Sequence, residues 1–419
     1  MSGEFDVIVV GAGPAGLSTA YFLAKKGFSV VVLERGSEPG SKNVFGGRVY
    51  SYVLDKNMPG WRMDAPIERW VRREGLSILC HDGSSINLQY IINRSSDGYD
   101  SFTTFLTEFL KWFSYKVEEA GGTIATRVKV DKLIFEGGRA VGVEAGGEII
   151  RSYYVVIAEG ANTLLLEKHG LRCRPKPEDI SVGVKEVIKL KKETIDERFS
   201  LEDDEGVAYF ILYPRLGGGG FIYTMREYVS IGVVYRPSFS LNIEARDVIE
   251  ELRTHPQILK LVRDGVLVEY SAHMIREAGY RDFMEKPYGV GYLVVGDAAG
   301  LLINTGFTVR GVDIAIESGR IAAEAIEKAG TPDDLSIYRK LLEENHVISK
   351  LEKFKKTPNI LSNNRLYTYY PEILCKIFSK TYTVEEELYT LRESIHESVG
   401  GLTSLIKIFL ELVRAVSSL

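Results

Sequence analysis

FDVIVVGAGPAGLSTAYFLAKKGFSVVVLER, residues 5–35, decides the fold. The apolar run at 7–10 has the length of one strand buried inside a parallel sheet. Gly11, Gly13 and Gly16 follow in GxGxxG spacing, with Pro14 and Ala15 at the turn into a helical pattern. Gly27 stops that helix, and a second apolar strand at 29–33 ends on Glu34. Each part does mechanical work. Gly11 makes the tight turn, Gly13 admits a pyrophosphate to the backbone, and Gly16 lets helix and strand close up. The first N–H groups of the helix then face the phosphates along its dipole. Glu34 stands where a carboxylate accepts both hydroxyls of an adenosine ribose, and it would repel the extra phosphate of NADP. GxGxxG alone is a weak signal. Strand, glycines, helix, strand and terminal acid in this order point to dinucleotide binding rather than to a phosphate-free βαβ unit.

Working outward, 419 residues suffice for two or three domains with substantial cores. With 45% hydrophobic and 26% charged residues the composition is that of an ordinary globular protein, and a net charge of -5 gives no nucleic-acid footprint. The chain enters its first strand with no basic leader, and no run reaches the ~20 apolar residues of a membrane span. The expectation is a cytoplasmic protein, with peripheral contact on the inner face of the cell membrane as an open alternative. Cys80, Cys173 and Cys375 are far apart and without CxxC, which argues against structural zinc, a disulfide framework and a self-contained [4Fe–4S] cluster. The six histidines show no HxxxH pair, so no metal site is assigned.

The loop GSEPGSKNVFGGRVYSYVL carries Lys42, Asn43, Gly46, Gly47 and Arg48, small and polar enough to lie over a flat cofactor. Two short strands joined by an Asp-Gly turn are expected at 76–92, and a helix at 102–119 with an aromatic stripe facing the core. Strands with Gly turns follow to a buried strand at 153–158, then Glu159-Gly160-Ala161-Asn162 at the carboxyl edge of the sheet. From about residue 180 the runs SVGVKEVIKL, GVAYFILYPR, GGGGFIYTMRE and YVSIGVVYRP predict an antiparallel sheet facing a ligand, with 217–220 as a flexible turn. One or two helices at 244–264 lead back to strand in VLVEYSAHMI. Another buried strand at 292–295 delivers Gly296-Asp297-Ala298-Ala299-Gly300, whose carboxylate can accept from ribityl hydroxyls, and a helix at 312–328 follows. Residues 331–419 read as mostly helical, with Lys350, Lys353, Lys355 and Lys356 as a basic patch. The closing stretch puts Leu402, Leu405, Ile406, Phe409, Leu412, Val413 and Val416 on one face, a pattern that packs on its own protein or meets a partner or membrane surface.

On the pieces ERGSEPGSKNVFGG, VVIAEGAN, SVGVKEVI, GFIYT, AHMIREAGY and VVGDAAG, the chain resembles the electron-transfer flavoprotein:quinone oxidoreductases of the short FixC type, as far as about residue 375. The resemblance implies an α/β fold: a Rossmann-like FAD-binding domain of the glutathione-reductase type, an inserted antiparallel sheet domain for the quinone, and a helical C-terminal region. The corresponding division is 1–75, 102–179 and 285–330 for FAD, 76–101 and 180–284 for the quinone or substrate, and 331–419. The cofactor residues it implies are Gly11, Gly13, Pro14, Ala15, Gly16, Glu34, Arg35, Lys42, Asn43 and Gly47, with Val128 on a strand touching adenine through its backbone. Ala158, Glu159, Gly160, Gly296, Asp297, Gly306 and Gly311 complete the set. Related chains often place Arg near the phosphates where this one has Leu106, and aromatic hydroxylases usually read Asp-Gly where this chain has Glu159-Gly160. The implied function is transfer of electrons from an electron-transfer flavoprotein to a membrane quinone, with a separate ferredoxin-like protein supplying the iron–sulfur cluster. The alternative is a geranylgeranyl reductase-like FAD enzyme that reduces isoprenoid double bonds, although 208–214 lacks the Trp of that group.

Overall fold

The computed structural model describes residues 5–41, 46–93, 100–237, 244–306, 308–384, 388–400, 406–408 and 410–411. Two sheets carry the chain. The first centres on the parallel strands Phe5–Val10, Val30–Glu34 and Thr123–Thr126 on one side, and Glu148–Ile157 and Tyr292–Val294 on the other. Val7, Ile8 and Val9 are fully buried, packed into one core with helix residues and with Leu133 and Val143 of the strands Val130–Glu136 and Arg139–Ala145, which is why these strands read as continuous apolar runs rather than alternating ones. The helices Pro14–Ala24 and Val312–Ala329 pack on each other. That packing demands small residues: a Cβ on Gly319 would run into the carbonyl oxygen of Ala15.

The second sheet is larger than its glycine-rich core suggested. The strands Ile180–Lys189, Glu205–Leu212, Gly218–Thr224, Tyr228–Tyr235 and Val266–Arg276 form its antiparallel part. It then recruits Arg69–Leu79, which pairs in parallel with Glu205–Leu212, so the sheet is mixed rather than purely antiparallel. Ser85–Ile91 returns from Arg69–Leu79 through a turn at 80–84, and the short strands Ser101–Thr103 and Arg48–Tyr50 extend the edge. The boundary expected at residue 75 therefore falls inside a strand, and residues 48–50 and 69–75 belong to this sheet. Arg69 explains part of that recruitment. Fully buried, it donates to the carbonyls of Met225 (2.7 Å) and Glu205 (2.9 Å) and pairs with Asp196 at 2.6 Å, pinning its strand to the sheet.

Three further expectations are corrected. Gly218, Gly219 and Gly220 lie within a strand, not in a flexible turn. Their lack of Cβ makes room for neighbours: a Cβ on Gly219 would come within 2.6 Å of the Phe210 ring. The aromatic-striped helix begins only at Leu106 (Leu106–Glu119), since Phe102 is taken up by a strand. Cys80 and Cys375 are not isolated but form a disulfide, with Cα atoms 5.7 Å apart. Residues 295 apart in sequence meet because the helix Tyr369–Tyr382 packs on the strand Arg69–Leu79.

The C-terminal region is helical through Ile337–Glu344, Val347–Lys353, Thr357–Leu361, Tyr369–Tyr382 and Leu391–Val399. The last of these starts with a capping box between Thr390 and Glu393. Of the closing amphipathic stretch, only 406–408 and 410–411 are described, as helix, and the rest of that expectation lies outside the described residues. Lys350 does not join a solvated patch. Its ammonium sits 4.8 Å from the centre of the Tyr52 ring and 3.2 Å from its hydroxyl, and burial lowers its pKa. No helix among the described residues is long and apolar enough to cross a membrane.

Candidate functional site

A cavity of about 640 Å³ runs along the carboxyl edge of the first sheet and on to the face of the second. At its start Gly11 holds φ +106°, and a Cβ there would lie 2.5 Å from the carbonyl oxygen of Ala158. Gly16 is just as constrained: a Cβ would strike the carbonyl of Gly11 and lie 3.1 Å from Val9. Gly13 differs. Its φ is -78° and a Cβ would meet nothing within 4 Å, so the protein itself does not require glycine here. The space it leaves opens on the cavity at the N-terminus of Pro14–Ala24, where first-turn N–H groups have no helical carbonyl to bond. The unfilled space at Gly13 is what a bound pyrophosphate would need.

Glu34 closes the adenosine end. One carboxylate oxygen accepts the N–H of Ala12 at 2.9 Å, and the other accepts that of Gly36 at 2.6 Å. The acid is thereby fixed at the cavity wall, and each oxygen keeps a lone pair for a ribose hydroxyl. Arg35 lies exposed beside it. Val128 lines the cavity, but from the link after the strand Thr123–Thr126, not from within a strand, and its N–H bonds the carbonyl of Glu34 at 2.8 Å. Lys42 and Asn43 lie outside the described residues, whereas Gly47 is at the wall with φ +129°. Leu106, at the start of its helix, also lines the cavity.

Ala158, Glu159 and Gly160 line the middle. The Glu159 carboxylate also serves the fold: it accepts the N–H groups of Leu165 (2.7 Å) and Leu166 (2.9 Å) and so caps the helix Leu164–Lys168. Burial still raises its pKa. Opposite, Gly296 adopts φ +62° and donates its N–H to Ser318 Oγ at 3.0 Å, which aims the next residue, Asp297, into the cavity. Burial, aided by the nearby charge of Asp282, pushes the Asp297 carboxyl up to about 6. Such a group is suited to accept from sugar hydroxyls, which would replace its lost water. Gly306 (φ +92°) and Gly311, the residue before Val312–Ala329, line the far side.

Sequence reasoning missed the scaffold beneath Asp297. Arg172 donates to the carbonyl of Ala298 and pairs with Asp282 at 2.7 Å, and Arg276 holds the same carboxylate at 2.7 and 2.9 Å. Arg276 and Asp282 stand six residues apart, but Arg172 comes from 110 positions away from Asp282, so no local motif could reveal the trio. A second cluster separates the cavity from a smaller one of about 240 Å³. Arg48 pairs with Glu74, and Tyr50 lies against the guanidinium groups of both Arg48 (4.5 Å) and Arg310 (4.6 Å). Tyr223 stands in the same partition, its hydroxyl pushed up to about 12 by burial. In sequence, the glycines at 46–47 and the Arg48 after them hinted at this place, and Gly46 approaches the Tyr223 and Phe221 rings so closely that a Cβ would lie 3.0 Å from the first.

Comparison with known proteins shows the family of the chain. The family model described as FAD dependent oxidoreductase matches residues 6–85 and 102–325. The chain is 37% identical to Protein FixC of Escherichia coli (strain K12), over 96% of this chain and 97% of that protein. It is 36% identical to the "Probable electron transfer flavoprotein-quinone oxidoreductase YdiS" of the same organism, again over 96% and 97%. Among solved structures, a geranylgeranyl bacteriochlorophyll reductase-like protein from Thermoplasma acidophilum superposes with a TM-score of 0.70 at 19% identity, covering 97% of this chain and 99% of that one. The flavin-dependent brominase Bmp2 gives 0.67 at 18% identity over 88% of each chain. These last two likenesses speak to the fold alone.

Proposed function

Because the chain belongs to the FAD dependent oxidoreductase family, and within it groups with the FixC proteins, we propose that it relays electrons from an electron-transfer flavoprotein to a membrane quinone. FAD is its cofactor and the protein is an oxidoreductase. In the proposed arrangement Glu34 binds the adenosine ribose, the first turn of Pro14–Ala24 the pyrophosphate, and Asp297 the ribityl chain. The flavin, when bound, supplies the two-electron redox chemistry. The protein's own share is to seat it, exclude water and position the acceptor.

The observation that carries this reading is the continuity of the cavity. It leaves the dinucleotide cradle and ends among Gly183, Phe210 and Phe221 of the second sheet and Tyr367 of the C-terminal layer. An apolar, aromatic chamber next to a flavin suits a flat, oil-soluble acceptor. The three cysteines include one disulfide pair, so a cluster in the relay would come from a separate ferredoxin-like protein. Contact with the membrane surface would let the quinone enter. Purified FAD-loaded protein is expected to reduce a quinone analogue when given reduced partner flavoprotein. No reduction would overturn the reading.

A further inference from the structure

Glu277 follows directly on the strand Val266–Arg276 and lines the cavity, although the residue is only 8% exposed. Its hydrogen-bond partners are neutral. Ser181 Oγ donates to one carboxyl oxygen at 2.5 Å, and the Asn304 amide donates to the other at 3.4 Å. Asn304 in turn accepts the N–H of Gly306 at 2.9 Å, tying Glu277 to the turn on the cofactor side of the chamber. The ionisable groups whose fields reach it are Arg236, after the strand Tyr228–Tyr235, and Tyr367, from the C-terminal layer. The adjacent Arg276 is committed to Asp282 and Thr163. Burial raises the Glu277 carboxyl above its usual range, against smaller opposing effects of Ser181 and Arg236. Burial thus favours the protonated form, and a protonated carboxyl facing an apolar chamber is an O–H donor.

We propose that Glu277 is the proton donor to the acceptor, hydrogen-bonded to a quinone carbonyl oxygen. This rests on the quinone reading above and assigns the chemistry at its acceptor end. The quinone takes up two electrons from the reduced cofactor and two protons to become the hydroquinone. As one carbonyl oxygen forms its O–H bond, the O–H bond of Glu277 breaks and leaves a carboxylate. Water supplies the second proton and reprotonates Glu277 before the next turnover.

The test uses full-length FAD-loaded protein, reduced anaerobically with dithionite and mixed with either a short-chain quinone or ferricyanide, which accepts electrons without protons. Glu277→Gln is expected to slow reoxidation by quinone about a hundredfold. Reoxidation by ferricyanide and FAD content should stay at wild-type levels. The wild-type quinone rate should fall as pH rises through the Glu277 titration, and the variant should lose that limb. Glu277→Asp should keep the limb at a reduced rate. Wild-type quinone rates and pH profile in Glu277→Gln would overturn the proposal, as would equal losses with both acceptors. Wild-type protein that reduces ferricyanide but no quinone would overturn the quinone reading itself, and this assignment with it.

Discussion

Cys80, in the turn between two strands of the second sheet, is covalently bonded to Cys375, in a helix of the C-terminal layer. The bond fixes the layer that brings Leu361 and Tyr367 to the cavity.

Removing this bond should be costly, because it closes a very long loop in the unfolded chain. Cys80→Ser together with Cys375→Ser is expected to lower stability by about 2–5 kcal/mol. Thiol titration of the native protein with an aromatic disulfide reagent checks the pairing: exposed Cys173 alone should react before reduction, and all three cysteines after reduction and unfolding.

The three glycines of the first turn should separate by experiment. Gly13→Ala is expected to fold with an unchanged melting temperature yet lose most of its FAD, since only the ligand occupies that space. Gly16→Ala should destabilise the apo-protein itself by about 1–3 kcal/mol, as overpacking against backbone does. Melting curves with and without FAD, beside the visible flavin spectrum, distinguish the two.

Asp297 yields a pH dependence with a definite sign. Its pKa in the folded apo-protein is raised from 3.8 to about 6, so its neutral form is favoured by folding. That stability is present below the unfolded pKa and is lost as pH rises through about 6. Asp297→Asn should therefore match the wild-type apo-protein near pH 4 and exceed it at pH 7 by on the order of 2–3 kcal/mol. Chemical denaturation at the two pH values reads the difference, and equal stability at both would refute it.

Glu159 is expected to matter to the fold more than to the ligand. Glu159→Ala removes the two-point cap of Leu164–Lys168 and should cost about 1 kcal/mol, with FAD affinity changed less than tenfold. Urea titration together with flavin fluorescence measures both quantities.

What the chain disclosed by itself was local. The order strand, glycines, helix, strand and acid at 5–35 names a dinucleotide cradle because each element is a nearest neighbour of the next. GDAAG at 296–300 was legible for the same reason. Arg69, which pulls a strand across to the second sheet, bonds to residues more than 130 positions away, and nothing near it in sequence announces that. Arg172, 110 positions from the Asp282 it pairs with, is hidden in the same way. Gly218 to Gly220 misled because glycine repeats usually signal turns, while here the missing side chains make room for the neighbouring strands, the Phe210 ring at Gly219 and the backbone of Val234 at Gly218. The cysteines misled because spacing along the chain says little about spacing in the fold.

Glu34 is held from two sides by the N–H groups of Ala12 and Gly36 before any ligand arrives. The ordering cost of that end of the seat is thus met during folding and not when the cofactor docks. Loading can then be a late event: a chain emptied of its cofactor should keep its shape, and apo-protein can be reconstituted simply by adding FAD.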